Sequence, residues 1–152
     1  MVCRTDYETP LGTVTIGHEN DQVLSLCFAA ESLGTDAPSP VSDLAARQLN
    51  EYFAGKRRTF DFPISVRGTP FQEAVWATLQ EIPYGQTWTY GQLAAALGRP
   101  GACRAIGNAC NRNPLLIVIP CHRVVGRRGS LTGYAAGLAT KEFLLNLEQR
   151  CQ

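Results

Sequence analysis

The sequence predicts an α+β fold, in which a small N-terminal antiparallel sheet with one helix precedes a mainly helical C-terminal domain. Two observations support this prediction. Short β-branched runs occupy the first third of the chain, and capped helical patterns with short connections follow Gly68. The 152 residues are enough for two small domains, which we place at residues 1–66 and 67–152. The composition, with 45% hydrophobic and 18% charged residues, is that of an ordinary globular protein.

Three runs in the N-terminal domain have strand character. Residues 13–16 and 22–28 are short apolar or β-branched runs, and residues 58–64 alternate phenylalanine with polar neighbours. Helical periodicity over residues 41–53 predicts a single helix between the second and third runs. We therefore expect a small antiparallel sheet accompanied by one helix.

Capping signals mark the helix starts of the C-terminal domain. Thr69 and Thr89 each stand three residues before a glutamine, and a proline follows Thr69 at the first helical position. A glycine-containing turn then leads into another helix over residues 102–111. Two short helices joined by a tight turn are typical of a helix-turn-helix, which we predict here in its winged form.

Charge is distributed unevenly along the chain, although the formal net charge is only +1. Residues 1–81 carry 6 basic and 11 acidic residues, whereas residues 82–141 carry 7 basic residues and no acidic one. A long stretch without carboxylates creates a positive field that suits a polyanion. We therefore predict nucleic acid as the partner and keep a chance asymmetry on a solvated face as the alternative.

The sequence predicts neither a membrane segment nor a signal peptide. The longest strongly apolar run, residues 115–119, is far shorter than the ~20 residues that a membrane span needs. The first eight residues are rich in charge, so we expect a cytoplasmic protein whose six cysteines stay reduced. Cys3, His18 and Cys27 could supply three zinc ligands, but no fourth lies nearby, and we favour ordinary thiols without a metal.

The helix over residues 102–111 has an unusual surface. Ala102, Ala105 and Gly107 are small, and Arg104 is the one long cationic side chain. A helix that reads bases in the major groove usually displays several Arg, Asn or Gln side chains. We interpret the small residues as permitting a close approach to DNA with one arginine projecting. The alternative is a helix packed tightly against its neighbours.

Cys121 is a candidate nucleophile because it follows the apolar run 115–119 and stands beside His122. The thiolate is the reactive form and burial suppresses it, so a base or a cation must assist. Neighbouring residues of an extended strand face opposite sides. His122 can therefore assist Cys121 only if the backbone turns there or if a water molecule intervenes. The dipeptide alone is weak evidence for catalysis.

The complete string PCHRV, with the helix-turn-helix before it and Gly133-Tyr134 after it, resembles the O6-alkylguanine-DNA alkyltransferases, also called methylated-DNA–protein-cysteine methyltransferases. The resemblance extends from about Thr69 to Glu148 and is looser over the N-terminal domain. It implies direct-reversal repair, in which O6-alkylguanine is flipped out of duplex DNA and its alkyl group passes irreversibly to the cysteine. It also implies that no cofactor is required. We expect O4-alkylthymine as a second lesion and a monomer that can bind DNA cooperatively.

At the matching positions, the resemblance implies four catalytic residues. Cys121 is the alkyl acceptor, and His122 is the base, which acts through water. Glu148 orients His122, as the third member of the relay. Asn113 holds the active-site turn, in agreement with Asn-Pro as an independent turn signal.

The resemblance also implies a DNA-binding face and a substrate pocket. Arg104 fills the gap left by the flipped base, and Tyr90 presses the 3′ phosphate. Tyr134 closes the pocket, where the Val124 backbone reads the guanine edge and Ala135 stands at a position that carries a hydroxyl in several relatives. The other expected DNA contacts are Ala102, Ala105, Gly107 and Arg123. Arg127 and Arg128 depart from the family pattern and add basic charge to the loop after the active site, where we expect them to contact a phosphate.

Three other functions remain alternatives at this point. A catalytically silent protein that only binds alkylation damage is the first, and the presence of Cys121 argues against it. A transcriptional regulator is the second, but residues 102–111 lack base-reading side chains. A Cys–His hydrolase is the third, and burst kinetics with an ester would support it.

Overall fold

The computed structural model of this protein describes residues 1–28 and 34–152. The chain divides into two units, Met1–Val66 and Arg67–Gln152. The first unit combines an antiparallel sheet with a helix, and the second is mainly helical, which confirms the predicted α+β class. Within the described residues, no helix is both long enough and apolar enough to cross a bilayer.

The sheet of the first unit has the order β1-β2-β3, and each neighbouring pair is antiparallel. Its strands are β1 (Cys3–Thr9), β2 (Gly12–Glu19) and β3 (Gln22–Phe28). Asn20 and Asp21 form the two-residue turn between β2 and β3, with φ of 52° and 61°. Positive φ at both central residues matches the right-handed twist of a tight hairpin.

Helix α1 (Pro40–Phe53) packs on this sheet. It begins at a capping box, in which Ser39 accepts from the backbone of Ser42 and the Ser42 side chain accepts from the backbone of Ser39. The core between helix and sheet consists of fully buried side chains from both: Val14, Ile16, Val23, Leu26, Ala45, Leu49 and Tyr52.

His18 lies in this core as a hydrogen-bonded histidine. Its Nε2 is 2.9 Å from Thr5 Oγ1, and its Nδ1 is 3.0 Å from Ser39 Oγ. Both ring nitrogens therefore have partners within the fold. These bonds account for the burial of His18 without a metal, and Cys3 and Cys27 are free thiols.

The strand predicted over residues 58–64 is wrong, because these residues, all of them described, form only an isolated bridge between Ile64 and Val23. The alternation of phenylalanine with polar residues reflects an aromatic cluster, in which Phe60 contacts both Tyr52 and Phe62. It does not reflect hydrogen bonding to a neighbouring strand. The third strand of the sheet is instead β1, which the sequence analysis did not identify. Most of its side chains are polar, and only Thr5 among them is buried.

The second unit, which is described throughout, has its capped helices at the predicted places. Helices α2 (Pro70–Leu79) and α3 (Tyr90–Ala96) begin at capping boxes formed by Thr69 and Thr89 with the glutamine three residues later. Helix α4 (Cys103–Asn111) follows α3 and packs against it. The two helices have the order and the short connection of the predicted helix-turn-helix.

The segment that follows the candidate nucleophile packs against the helix-turn-helix. Strand β4 (Trp88–Thr89) pairs in parallel with β5 (Val124–Val125), so the chain just after the candidate nucleophile runs beside the start of α3. Trp76 Nε1 donates to the carbonyl of Ala109 at 2.9 Å and fixes α4 against α2. Helix α5 (Leu138–Arg150) ends the unit.

Candidate active site

The apolar run before Cys121 folds back on itself and does not continue as a strand. The N–H of Ile119 donates to the carbonyl of Leu115 at 2.9 Å, and Ile117 between them has a φ of 73°. A positive φ in a β-branched residue is strained and persists only where the surrounding structure enforces it. One turn of 3-10 helix, Cys121–Arg123, follows. The backbone therefore turns at the cysteine, as assistance by the next residue requires.

Asn113 fixes both ends of this folded run. Its Nδ2 donates to the carbonyl of Ile119 at 2.8 Å and to Cys121 Sγ at 3.2 Å. Its Oδ1 accepts from the N–H of Leu115 at 2.9 Å. One side chain thus stabilises the turn and supplies a hydrogen-bond donor to the sulfur.

The thiol of Cys121 is buried, with 4% of the residue exposed. Burial raises its pKa to about 11, even though the hydrogen bond from Asn113 and the charge of Lys141 act in the opposite direction. A thiol with this pKa is protonated at neutral pH. It becomes a strong nucleophile only when a base removes the proton as the reaction proceeds.

Glu148 is the centre of a buried charge network. Its Oε2 is 2.6 Å from His122 Nε2, and its two oxygens accept from the guanidinium of Arg123 at 2.8 and 3.1 Å. The N–H of Gly85 donates to Oε1 at 3.1 Å. Burial raises the pKa of Glu148, but the hydrogen bonds and charges of His122 and Arg123 outweigh it and hold the pKa at about 2. The carboxylate is therefore ionised.

The ionised carboxylate determines the tautomer of His122. Burial lowers the pKa of His122 against the opposing effect of Glu148, so the imidazole is neutral at pH 7. Because an ionised carboxylate can only accept hydrogen bonds, the ring proton lies on Nε2. Nδ1 is then an acceptor, and it is buried without a partner among the described residues. The imidazole is thus able to take up a proton at Nδ1.

Arg123, which we expected to contact DNA, lies in the structure within the buried network of Glu148. The residue is 7% exposed, and its guanidinium also donates to the carbonyl of Ile82 at 2.8 Å. A buried carboxylate needs a cation to stay ionised, and Arg123 supplies it to Glu148. The sequence held a signal for the burial of Glu148, since Glu148 follows Leu144 by four residues and shares the buried face of α5, but no signal for its pairing with Arg123.

Lys141 is a functional candidate that the sequence analysis did not single out. Its ammonium donates to the carbonyl of Val124 at 2.6 Å and to that of Thr132 at 3.2 Å. Burial lowers the pKa of Lys141, whereas the nearby Cys121 raises it. Helical spacing could have indicated that Lys141 is buried, because it precedes the buried Leu144 by three residues and therefore lies on the same face of α5.

The helix-turn-helix presents small residues and one arginine at its surface. Arg104 and Ala105 are exposed, whereas Ala102 and Gly107 are half-buried. Arg104 makes no hydrogen bond or ion pair with any residue that the structure describes. Its guanidinium can therefore reach outward without breaking an existing contact.

Two further arginines, Arg127 and Arg128, are exposed on the loop after β5. Arg128 has a φ of 58°, which turns the chain within this loop. Arg127 lines a recess of about 430 Å³ together with Tyr90, the first residue of α3. The remaining lining residues are Thr89, Gly91, Cys103 and Gly126.

Tyr134 lies beside the imidazole of His122. The two rings meet edge-on, with 6.5 Å between their centroids, and the Tyr134 hydroxyl is buried without a partner among the described residues. Burial raises the pKa of Tyr134 well above its usual value. Val124 is fully buried and Ala135 is exposed. Of the predicted pocket residues, the structure thus brings Tyr134 and Val124 to the site and leaves Ala135 at the surface.

Comparison with known sequences gives matches over both units. The family described as 6-O-methylguanine DNA methyltransferase, ribonuclease-like domain, matches residues 2–66, and the DNA binding domain of the same description matches residues 70–150. The methylated-DNA–protein-cysteine methyltransferase of Methanosarcina barkeri is 58% identical over 148 residues, which are 93% of this chain and 94% of the relative. The constitutive enzyme of that name from Bacillus subtilis is 45% identical over 156 residues, covering 95% and 94% of the two chains.

Solved structures show the same likeness. Mycobacterium tuberculosis OGT, solved in complex with DNA, superposes with a TM-score of 0.90 at 41% identity, over 97% of this chain and 93% of that one. The M. tuberculosis O6-methylguanine methyltransferase superposes with a TM-score of 0.90 at 39% identity, over 100% and 95% of the two chains. Sequence, fold and the order of the two units all agree with these relatives. The chain therefore belongs to the 6-O-methylguanine DNA methyltransferase family.

Proposed function

We propose that this protein repairs O6-alkylguanine in duplex DNA by irreversible transfer of the alkyl group to Cys121. Direct transfer to a cysteine is the reaction for which the relatives are named. One observation supports Cys121 as the acceptor: its buried thiol accepts from Asn113 and is followed in the chain by a neutral imidazole with an available Nδ1.

The reaction requires a base because the thiol proton must leave as the sulfur attacks. The sulfur–carbon bond forms while the bond between the alkyl carbon and guanine O6 breaks, and the guanine takes the electron pair. The proton of Cys121 passes through water to Nδ1 of His122, and in the net reaction the guanine gains a proton. Glu148 stabilises the transient imidazolium. The thioether product has no good leaving group, so each molecule reacts once. No cofactor takes part, because the substrate supplies the alkyl group and the chain supplies the nucleophile and the base.

The surface of the helix-turn-helix supports duplex DNA as the partner. A stacked base hides its reacting carbon, so the lesion must be extruded at a cost of a few kcal/mol. The small residues of α4 allow the DNA backbone to come close, and Arg104 fills the gap that the lesion leaves. Tyr90 presses the 3′ phosphate, and Arg127 and Arg128 contact phosphates.

The remaining parts of the proposal concern lesion range, assembly and compartment. The catalytic residues come from a single unit of one chain, which supports action as a monomer. Cooperative binding of such monomers along DNA is a separate part of the proposal. O4-alkylthymine is a second substrate, since its alkyl group is also carried by an exocyclic oxygen. All six cysteines are free thiols, which is consistent with action in a reducing cytoplasm.

Incubation with O6-benzylguanine tests the proposed function directly. The intact mass should increase by one benzyl group and no more, and peptide mapping should place that group on Cys121. Cys103 is exposed on α4 and reports any unselective alkylation in the same experiment. An unchanged mass would refute alkyl transfer. Repeated cleavage of an ester, with a burst and no stable adduct, would identify a hydrolase instead.

Replacing Arg104 by alanine should slow repair of alkylated duplex while leaving the reaction with free O6-benzylguanine nearly unchanged. A planar guanidinium can stack in the gap left by an extruded base, and the free base needs no extrusion. Loss of part of the extrusion energy corresponds to a ~10- to 100-fold slower duplex reaction. The measurement is the ratio of second-order rates, duplex over free base, in variant and parent.

Arg112 supplies the matched control, because it is an exposed arginine directly after α4. Arg112→Ala removes the same charge without emptying the gap, so its rate ratio should stay close to that of the parent. If Arg104→Ala slows the reactions with duplex and with free O6-benzylguanine equally, Arg104 supports the fold and does not fill the gap left by the extruded base. A shallower salt dependence with an unchanged rate ratio would mean that Arg104 only contacts phosphate.

A further inference from the structure

Thr132 forms a hydrogen bond with Tyr90 across the second unit. The Thr132 hydroxyl donates to the phenol oxygen at 3.2 Å, although the two residues are 42 positions apart in the chain. Thr132 lies between β5 and α5, and Tyr90 is the first residue of α3. The bond therefore joins the loop that precedes Tyr134 to the helix-turn-helix.

Other contacts fix the position of Thr132. Its carbonyl accepts from the buried ammonium of Lys141 at 3.2 Å, and the same ammonium donates to the carbonyl of Val124 at 2.6 Å. Its methyl group lies against Gly126, where an added Cβ would come within 2.9 Å of Thr132 Cγ2. With its backbone carbonyl hydrogen-bonded and its methyl group packed, Thr132 keeps its hydroxyl in one position. A surface threonine without such contacts is free to change rotamer.

The direction of this hydrogen bond determines what the Tyr90 hydroxyl can do. A phenol has one hydrogen to donate and an oxygen that accepts. Because Thr132 donates to that oxygen, the hydrogen of Tyr90 remains available, and no described residue accepts it. The pKa of Tyr90 agrees with this direction: burial raises it, and the hydrogen bond from Thr132 lowers it by favouring the phenolate.

Tyr90 also occupies the right place for a nucleic-acid acceptor. It lines the recess after β5 together with Arg127, whose exposed guanidinium favours an anion there. Gly107 on α4 lies next to the tyrosine ring, and a Cβ built there would be 4.0 Å from a ring carbon. The tyrosine is thus bordered by the surfaces proposed to meet DNA.

We propose that Thr132 is a positioning residue that holds Tyr90 with its O–H directed at an acceptor atom of the extruded nucleotide. The inference rests on the proposed function, in which Tyr90 acts on that nucleotide. The acceptor is a phosphate oxygen or an acceptor on the base, and the chemistry of the hydrogen bond is the same in both cases. A hydroxyl that is oriented in advance donates without losing rotational freedom on binding.

Thr132→Val tests the proposal because valine keeps the shape and the methyl group but removes the hydroxyl. The transfer rate should fall about 2- to 10-fold, the usual effect of one neutral hydrogen bond. Thr132→Ser restores the donor and should recover most of the rate. Ser130→Ala removes an exposed hydroxyl from the same loop and serves as the matched control.

A double-mutant cycle with Tyr90→Phe shows whether Thr132 acts through the phenol. In the Tyr90→Phe background, Thr132→Val should cost nothing further, because the accepting oxygen is already gone. Equal losses in both backgrounds, or a serine variant as slow as the valine variant, would overturn the proposal. If Thr132→Val slows transfer from alkylated duplex but not from free O6-benzylguanine, the acceptor of the Tyr90 hydrogen is a phosphate oxygen. If the variant slows both reactions, the acceptor lies on the base.

A spectroscopic titration keeps the test independent of alkyl transfer. Thr132→Val should raise the pKa of Tyr90, followed by phenolate absorbance, with Tyr90→Phe as the blank for the other tyrosines. An unchanged pKa would show that Thr132 does not donate to Tyr90, and the proposal would fail even if Cys121 is the acceptor. A parent protein that gains no alkyl group would instead refute the proposed function.

Discussion

Replacing Cys121 by serine is expected to abolish alkyl transfer from both O6-benzylguanine and alkylated duplex. The thiol of Cys121 has a pKa of about 11, high but within reach of a base that removes the proton during attack. A serine hydroxyl fits the same space, but it is a weaker nucleophile and gives up its proton far less readily. Binding to duplex should remain close to that of the parent, because the side chain of Cys121 is buried and contributes little to the protein surface.

Two other cysteines provide the controls for this substitution. Cys110 is buried, and burial raises its pKa to about 12, so Cys110→Ser should leave the stoichiometry of one alkyl group per chain unchanged. Cys103→Ser should also react once, since Cys103 is exposed on α4 and the substitution leaves Cys121 in place. Intact mass after incubation with O6-benzylguanine is the measurement for all three variants. An adduct on Cys121→Ser would mean that another residue is the acceptor.

The helix starts and the helix-turn-helix could be predicted because their causes are local. A threonine with a glutamine three residues later satisfies backbone donors wherever it occurs, and Thr69 and Thr89 both do so here. The turn at Cys121 was less accessible to sequence reasoning. It depends on the positive φ of Ile117 and on the amide of Asn113, which no periodicity of apolar residues indicates.

The charge pattern shows what sequence alone could not resolve. Residues 82–141 carry 7 cations, and we attributed all of their positive charge to the field that attracts a polyanion. Arg123 and Lys141 are in fact buried, one against Glu148 and the other against two backbone carbonyls. Pairings between residues this far apart in the chain require the fold, because spacing shows only that Glu148 lies on a buried face.

Replacing Glu148 by glutamine is expected to weaken both the fold and the transfer reaction. The pKa of Glu148 is about 2 in the folded chain, against 4.5 for an ordinary glutamate. A lowered pKa stabilises the folded state above about pH 4.5, and this contribution is lost as the pH falls towards 2. At neutral pH it amounts to about 3 kcal/mol, which a neutral glutamine does not supply. The substitution also leaves the guanidinium of Arg123 buried without a carboxylate.

Transfer by Glu148→Gln should slow by up to ~10²–10⁴-fold, the usual contribution of general-base catalysis, because the imidazolium of His122 loses its counter-charge. Denaturant unfolding at pH 7 and single-turnover rates measure the two effects. Glu142→Gln, at an exposed position of the same helix, should change neither. Carbon NMR of the carboxyl signal that disappears in Glu148→Gln should show a group still ionised near pH 3. A signal that titrates at pH 4.5 or above, or a variant as stable and fast as the parent, would exclude an ionised Glu148 as the partner of His122.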